Sequence, residues 1–297
     1  DGGGSIRIPS SFCGSYGLKP TQGRTPQSSR PNSPFIANRF NQSGPMTRTV
    51  QDAALLLHVL AGYDKMDPSS LHDIPDNYPS SAKKSIKGLR IGWSPDFGYA
   101  VIDKEVLKIT KQAAQRFEDL GCHVDYAELN IEPPFEAFLT LFSAEAIARS
   151  PKILLDNSKH LTSYAKEFFE KGSLVSGTEY AHALGVIDLL NQIFTDVFEK
   201  YDLILTPTTA VTAFPHGKPP DRISGKNVDW YWGSMPHTFP INMIGNPAAS
   251  IPCGFSSNGM PVGLHIIGRK LDESTILAAS TAFETAKPWA YHRPPIS

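Results

Sequence analysis

An α/β fold, with a parallel or mixed β-sheet flanked by helices, is what this sequence predicts, and four observations point to it. Residues 89–93 form a short apolar run. Asp103 then stands as the cap of a stretch in which Val106, Ile109, Ala113, Phe117 and Leu120 recur at steps of three and four, closed by Gly121. After it Val124, Tyr126 and Leu129 alternate, so strand, helix and strand make a crossover unit of the kind that joins parallel strands. Near the other end, residues 249–255 and 262–267 flank an Asn258-Gly259 turn, which reads as a hairpin.

The remaining elements follow in order. Three glycines, Gly2 to Gly4, precede Ser5, and the alternating Ile6 and Ile8 read as the start of a buried extended segment. Residues 25–45, rich in Pro, Ser, Asn and Gln, read as an irregular loop. Thr49 caps a helix over 50–61, with Asp52 in its first turn, Gly62 at its end and Leu55, Leu56, Val59 and Leu60 as its buried face. Residues 63–87 read as a long surface loop. Residues 134–200 are mainly helical, the clearest helix starting at Thr178 with Leu184, Ile187, Leu190, Phe194 and Val197 on one stripe. A buried strand over 202–206 is halted by Pro207, and 212–240 lacks periodicity, as a long functional loop does. A last helix starts near Asp272 and runs to about Lys287, with Ile276, Ala279 and Phe283 facing inward. With no internal repeat and no clean linker, residues 1–297 read as part of one domain.

Composition narrows the function. Lys and Arg number 28 against 29 Asp and Glu, so no electrostatic case exists for binding nucleic acid or an anionic membrane. Hydrophobic residues at 40% and charged ones at 19% describe an ordinary globular chain. No apolar run approaches the ~20 residues of a membrane helix, and no signal peptide is visible. Cys13, Cys122 and Cys253 are odd in number, widely spaced and outside any CxxC motif. They read as reduced, packed thiols in a reducing compartment, the cytoplasm.

The chemistry concentrates in the opening nonapeptide, residues 1–9. Glycines let another molecule approach their amides, and a serine follows at once, so Gly2, Gly3 and Gly4 are oxyanion-hole candidates and Ser5 the candidate nucleophile. A glycine-rich turn before a strand is the alternative. A serine hydroxyl needs a base, yet no GxSxG elbow is present and none of the nine histidines sits in a triad-like spacing. The loop lacks the lysine of a phosphate-binding Walker motif, and no HExxH or clustered His/Asp spacing suggests a metal. Asp1 and Arg7 flank the serine with opposite charges and read as an ion pair that fixes the loop; a solvated pair, or Arg7 on a substrate carboxylate, are the alternatives. Thr206 ends a strand and is a candidate for the site rim. Trp230, Tyr231, Trp232 and Phe239 are candidates for an acyl pocket, with core packing or a dimer contact explaining them equally well. Asp229 and His237 are candidate polar contacts in the same loop.

The run GGSIRIPSSFCGSYGLKPTQGR, residues 3–24, closely resembles the signature sequence of the amidase signature family of serine hydrolases. GPMTRTVQDA at 44–53 resembles a second segment of that family, and NPAASIPCG at 246–254 with GMPVGL at 259–264 resembles its C-terminal hairpin. The resemblance implies the amidase signature fold, a mixed β-sheet flanked on both faces by helices, and hydrolysis of a linear amide to acid plus ammonia or amine, through an acyl-enzyme at Ser5, with the glycine amides holding the carbonyl oxygen. It implies no cofactor and no metal. It implies a different base: a neutral lysine acting through a second serine held in a cis peptide, both upstream of Asp1. Lys19 matches a motif position other than the catalytic lysine. That lysine must lose roughly three pKa units from about 10.4 to serve as a base near neutrality. The chain is therefore expected to be the C-terminal part of a longer amidase domain, lacking its N-terminal part and catalytically crippled alone. Its expected partner is a small-molecule amide, with a homodimer open. Two alternatives stand beside this reading: the transamidating component of tRNA-dependent amidotransferases, which works with partner subunits, and a non-catalytic remnant or ligand-binding module.

Overall fold

Leu203 and Leu205 lie buried in one apolar core, while Ile204 between them lies buried in another. A strand that is apolar on both sides needs a layer of helices over each, and the computed structural model supplies both. It describes residues 1–27, 39–156, 158–230 and 232–293. Residues 28–38 of the expected 25–45 loop, and Tyr231 of the expected acyl pocket, lie outside the described residues.

In chain order the first half comprises α1 (Arg7–Cys13), β1 (Tyr16–Lys19), β2 (Met46–Thr47), α2 (Val50–Leu60), α3 (Tyr78–Ser81), β3 (Arg90–Trp93), α4 (Lys104–Asp119) and β4 (His123–Tyr126). The helical region that follows contains α5 (Phe135–Arg149), α6 (Ile153–Asp156), α7 (Ser163–Leu174) and α8 (Gly177–Lys200). The chain then forms β5 (Leu203–Pro207), a small hairpin of β6 (Arg222–Ile223) and β7 (Lys226–Asn227), α9 (Phe239–Ile244), β8 (Ala248–Phe255), β9 (Pro261–Gly268) and α10 (Glu273–Ala286).

Seven of these strands make one mixed sheet in the order β2-β1-β8-β9-β5-β3-β4. The expected crossover unit is present: β3 and β4 pair in parallel with Ile91 opposite Val124, and β3 pairs in parallel with β5. The expected hairpin is β8 and β9, antiparallel, with Gly259 at φ 80° in its turn. Helices α2, α3, α4 and α10 cover one face and α5, α8 and α9 the other.

Local chemistry accounts for the boundaries. Thr49 accepts a hydrogen bond from the Asp52 amide, Asp103 from those of Glu105 and Val106, and Asp272 from that of Thr275. Ser176 and Glu179 form a reciprocal capping box at the start of α8.

Three expectations are corrected. The segment after Ser5 is helix α1 and not extended, because its buried side is Arg7, Ser10 and Ser11. That i, i+3, i+4 stripe is helical but polar, so hydrophobic periodicity does not reveal it. Helix α2 buries Val50, Ala53, Ala54 and Leu57 and leaves Leu55, Leu56, Val59 and Leu60 exposed. The helix is apolar nearly all round, and the alanine stripe permits the closer approach. The expected loop over 63–87 contains α3, whose Tyr78 is buried.

The reassigned face of α2 has a measurable consequence. Leu57→Ala is expected to cost about 2–5 kcal/mol of stability. Val59→Ala, at a side chain 74% exposed, is expected to stay within about 0.5 kcal/mol. Paired thermal melts of the two variants check this.

Candidate active site

Helix α1 lies directly on β1, β8 and β9 because both surfaces are stripped of bulk. A methyl group at Gly17 would sit 2.2 Å from Ser10 Oγ, and one at Gly263 would sit 2.6 Å from Ser11 Oγ. Ser11 Oγ accepts a hydrogen bond from the Gly263 amide at 3.1 Å, joining helix to strand. The glycine loop enters this helix through Gly4 at φ 138°, a conformation open to glycine but strained for a side chain. Gly2, Gly3 and Gly4 are buried, whereas Ser5 is exposed at the tip. Among the described residues, the amides of the three glycines donate to no other group of the chain.

The loop is tied from inside by Asp1. Its Oδ2 accepts from the amides of Ile6 (3.1 Å) and Arg7 (3.4 Å) and from Arg7 Nε (3.0 Å). Its Oδ1 accepts from Arg7 Nη2 and from Asn242 Nδ2, both at 2.9 Å. Neither side chain of the Asp1–Arg7 pair is solvent-exposed. Burial draws the guanidinium down to about 9, which leaves it charged at neutral pH. The buried Thr238 hydroxyl donates to the Gly3 carbonyl at 2.7 Å. Beneath Arg7, Nη1 lies 3.1 Å from His265 Nε2, and His265 Nδ1 lies 3.4 Å from Thr206 Oγ1.

An aromatic wall flanks the loop. A methyl group at Gly3 would meet Phe138 at 2.9 Å and Trp232 at 3.3 Å. Trp232 packs on Phe135, Phe138 and Phe239 at 5.3–5.6 Å between ring centroids. Trp230 and Trp232 share a cavity of about 260 Å³ with Tyr164 and Phe168. A larger groove, about 810 Å³, runs between α5 and α8 and includes no residue of the Ser5 loop.

The expected residues thus separate. Asp1, Gly2, Gly3, Gly4, Ser5 and Arg7 share one loop, and Trp232 stands beside it. Trp230 lies farther out and is 53% exposed. Thr206 does not reach the rim: β5 is paired on both sides, and its Thr206 hydroxyl donates to the Pro207 carbonyl in the interior. His237 is likewise buried, against Phe97. Cys122 and Cys253 are buried free thiols as expected, but Cys13 is exposed, since it ends α1 off the Arg7–Ser10–Ser11 stripe. Sequence reasoning misses Asn242, Thr238 and His265. Asn242 within FPINMI and His265 within PVGLHIIG are lone polar residues in apolar elements, which is the signal that marks them. Among the described residues no group of His, Cys, Asp and Glu is disposed to hold a metal ion, and no helix is long and apolar enough to cross a membrane.

The family model described as Amidase matches residues 1–277. An acylamidase of Rhodococcus erythropolis is 33% identical over 305 residues, covering 99% of this chain and 62% of the relative. The A component of the glutamyl-tRNA(Gln) amidotransferase of Moorella thermoacetica is 37% identical over 319 residues, covering 99% and 63%. The crystal structure of a bacterial aryl acylamidase of the amidase signature family superimposes with a TM-score of 0.89 at 31% identity, covering 99% of this chain and 64% of that one. The chain therefore spans a little over three fifths of the length of these relatives.

Two measurements bear on this site. Asp1→Ala leaves Arg7 buried without its counter-charge and is expected to cost about 3–5 kcal/mol, with Arg7→Met added to it losing less than the sum of the singles; thermal melts of the cycle check this. Burial holds His237 down at about 3, below the usual 6.5, so the unfolded chain binds the proton more readily. Its contribution is present above 6.5 and lost as pH falls toward 3, and the melting temperature of His237→Phe is expected to fall less over that window than that of the parent.

Proposed function

Because the chain belongs to the amidase signature family, we propose that it carries the nucleophile-bearing, C-terminal part of an amidase domain that hydrolyses a carboxamide through an acyl-enzyme at Ser5. Ser5 Oγ attacks the carbonyl carbon, and its proton passes to the base. The amides of Gly2, Gly3 and Gly4, with that of Ser5, hold the resulting oxyanion, where loss of one donor costs ~10²–10³ in rate. Collapse expels the amine, which takes up the proton, and water then releases the acid by the same route in reverse. The base implied by the family resemblance is a neutral lysine relaying through a second serine, both preceding Asp1, so residues 1–297 alone are expected to turn over slowly or not at all.

The observation that carries this reading is an exposed serine at the tip of a loop whose buried glycine amides are uncommitted among the described residues. Asp1, Arg7 and Asn242 hold that loop at one end, and Thr238 holds it at the Gly3 carbonyl. The Trp232 and Trp230 wall suits an apolar or aromatic group on the substrate, in keeping with the aryl acylamidase among the similar structures. Three free cysteines are consistent with a reducing compartment. A second reading, transamidation beside partner subunits, draws on the 37% identity to the amidotransferase component. Co-purification of tagged protein with partner subunits favours it over free-standing hydrolysis.

A fluorophosphonate probe applied to the full-length protein is expected to label Ser5 and to lose that label in Ser5→Ala. Labelling unaffected by the substitution refutes the assignment.

A further inference from the structure

We propose that His265 is a positioning residue: its neutral ring, protonated on Nδ1, holds the Arg7 guanidinium and ties the Ser5 loop to the centre of the sheet. The inference rests on the reading of Ser5 as nucleophile and adds a support to it from beneath.

The hydrogen-bond chemistry leaves one arrangement. A guanidinium has only donors, so at 3.1 Å Arg7 Nη1 donates to His265 Nε2, which must present a lone pair. The neutral ring then carries its proton on Nδ1, 3.4 Å from Thr206 Oγ1. Thr206 has committed its own proton to the Pro207 carbonyl at 2.9 Å, so its oxygen is free to accept from the ring. Donation therefore runs in one direction, from Arg7 to His265, to Thr206, to the backbone of β5. Arg7, His265 and Thr206 are all fully buried, and Thr206 stands opposite His265 in the β5–β9 register.

His265 takes the edge of the guanidinium that Asp1 leaves open. Asp1 occupies Nε and Nη2, and the Asn242 carboxamide oxygen also accepts from Nη2. The charged and titratable groups around the ring oppose its protonation: after burial itself, Arg7 on α1, His237 ahead of α9 and Lys19 on β1 hold it well below the usual imidazole range. Asp1, the nearby acid, is engaged on the other edges of Arg7. An imidazolium has no lone pair for Arg7, so the neutral ring is the functional form. Arg7 freed on this side lets the Asp1 ring loosen, and with it the position of Ser5.

Nitrogen-15 imidazole spectra of the full-length protein test the tautomer, with the His265 signals assigned by their loss in His265→Gln. The expected result is an Nδ1-protonated ring that does not titrate between about pH 5 and 8. A ring protonated on Nε2, or one that titrates in that range, overturns the proposal. In the full-length protein, His265→Leu is expected to slow fluorophosphonate labelling of Ser5 roughly 10–100-fold. His265→Gln, whose amide oxygen still accepts from Arg7, is expected to stay within about threefold of the parent. Equal labelling in His265→Leu and the parent also overturns it, and if His265→Leu does not fold, the parent spectrum decides. A parent protein that is not labelled at all defeats the nucleophile reading, while the spectrum still decides the tautomer.

Discussion

The contact between the Asp1 carboxylate and the Arg7 guanidinium, at 2.9 Å and closed to solvent on both sides, is the constraint on which the rest of the loop depends. Removing two charges from water is expensive, and their attraction offsets it only when the remaining lone pairs and protons find partners. Here they do. Asp1 accepts from two backbone amides, two guanidinium nitrogens and Asn242, while Arg7 also meets His265 and the Asn242 oxygen. The loop is thereby wound around one carboxylate, and the serine at its tip has little freedom to wander.

The pair is anchored to a rigid floor. Ser10 and Ser11 on α1 meet Gly17 and Gly263 on the strands, and this absence of bulk brings helix backbone down onto sheet backbone. The floor itself is held between two apolar layers, so Leu203 and Leu205 brace it from one side and Ile204 from the other. On the face beneath α1 the strands turn polar, with Thr206, His265 and Ser250 replacing the aliphatic residues found elsewhere. Those side chains satisfy one another or the helix, with Thr208 and Ser250 joined at 2.9 Å and Ser11 and Thr209 at 3.2 Å.

How much of this the sequence discloses depends on how local each cause is. Caps are local: Thr49, Asp103 and Asp272 mark their helices because the bond each makes spans only two or three residues. The crossover unit and the β8–β9 hairpin are legible for the same reason. The glycine-serine loop and its Asp1–Arg7 pair are legible because all their members lie within seven residues of one another. Helix α1 is not, since a polar buried stripe breaks the rule that links periodicity to burial. The face of α2 is not, since an all-round apolar helix offers two solutions and only the neighbours choose. Asn242, Thr238 and His265 are more than 200 residues from the loop they support, and their partners emerge only when the sheet is assembled.

The seat of α1 and the aromatic wall use different parts of the chain. The first is written into β1, β8 and β9, while the second is assembled from α5, α7 and the stretch ahead of α9, with Trp232 standing beside Gly3. Selection can therefore reshape the aromatic chamber without disturbing the helix seat beneath Ser5. A lineage built this way can vary the shape of that wall while the floor under the loop stays as it is.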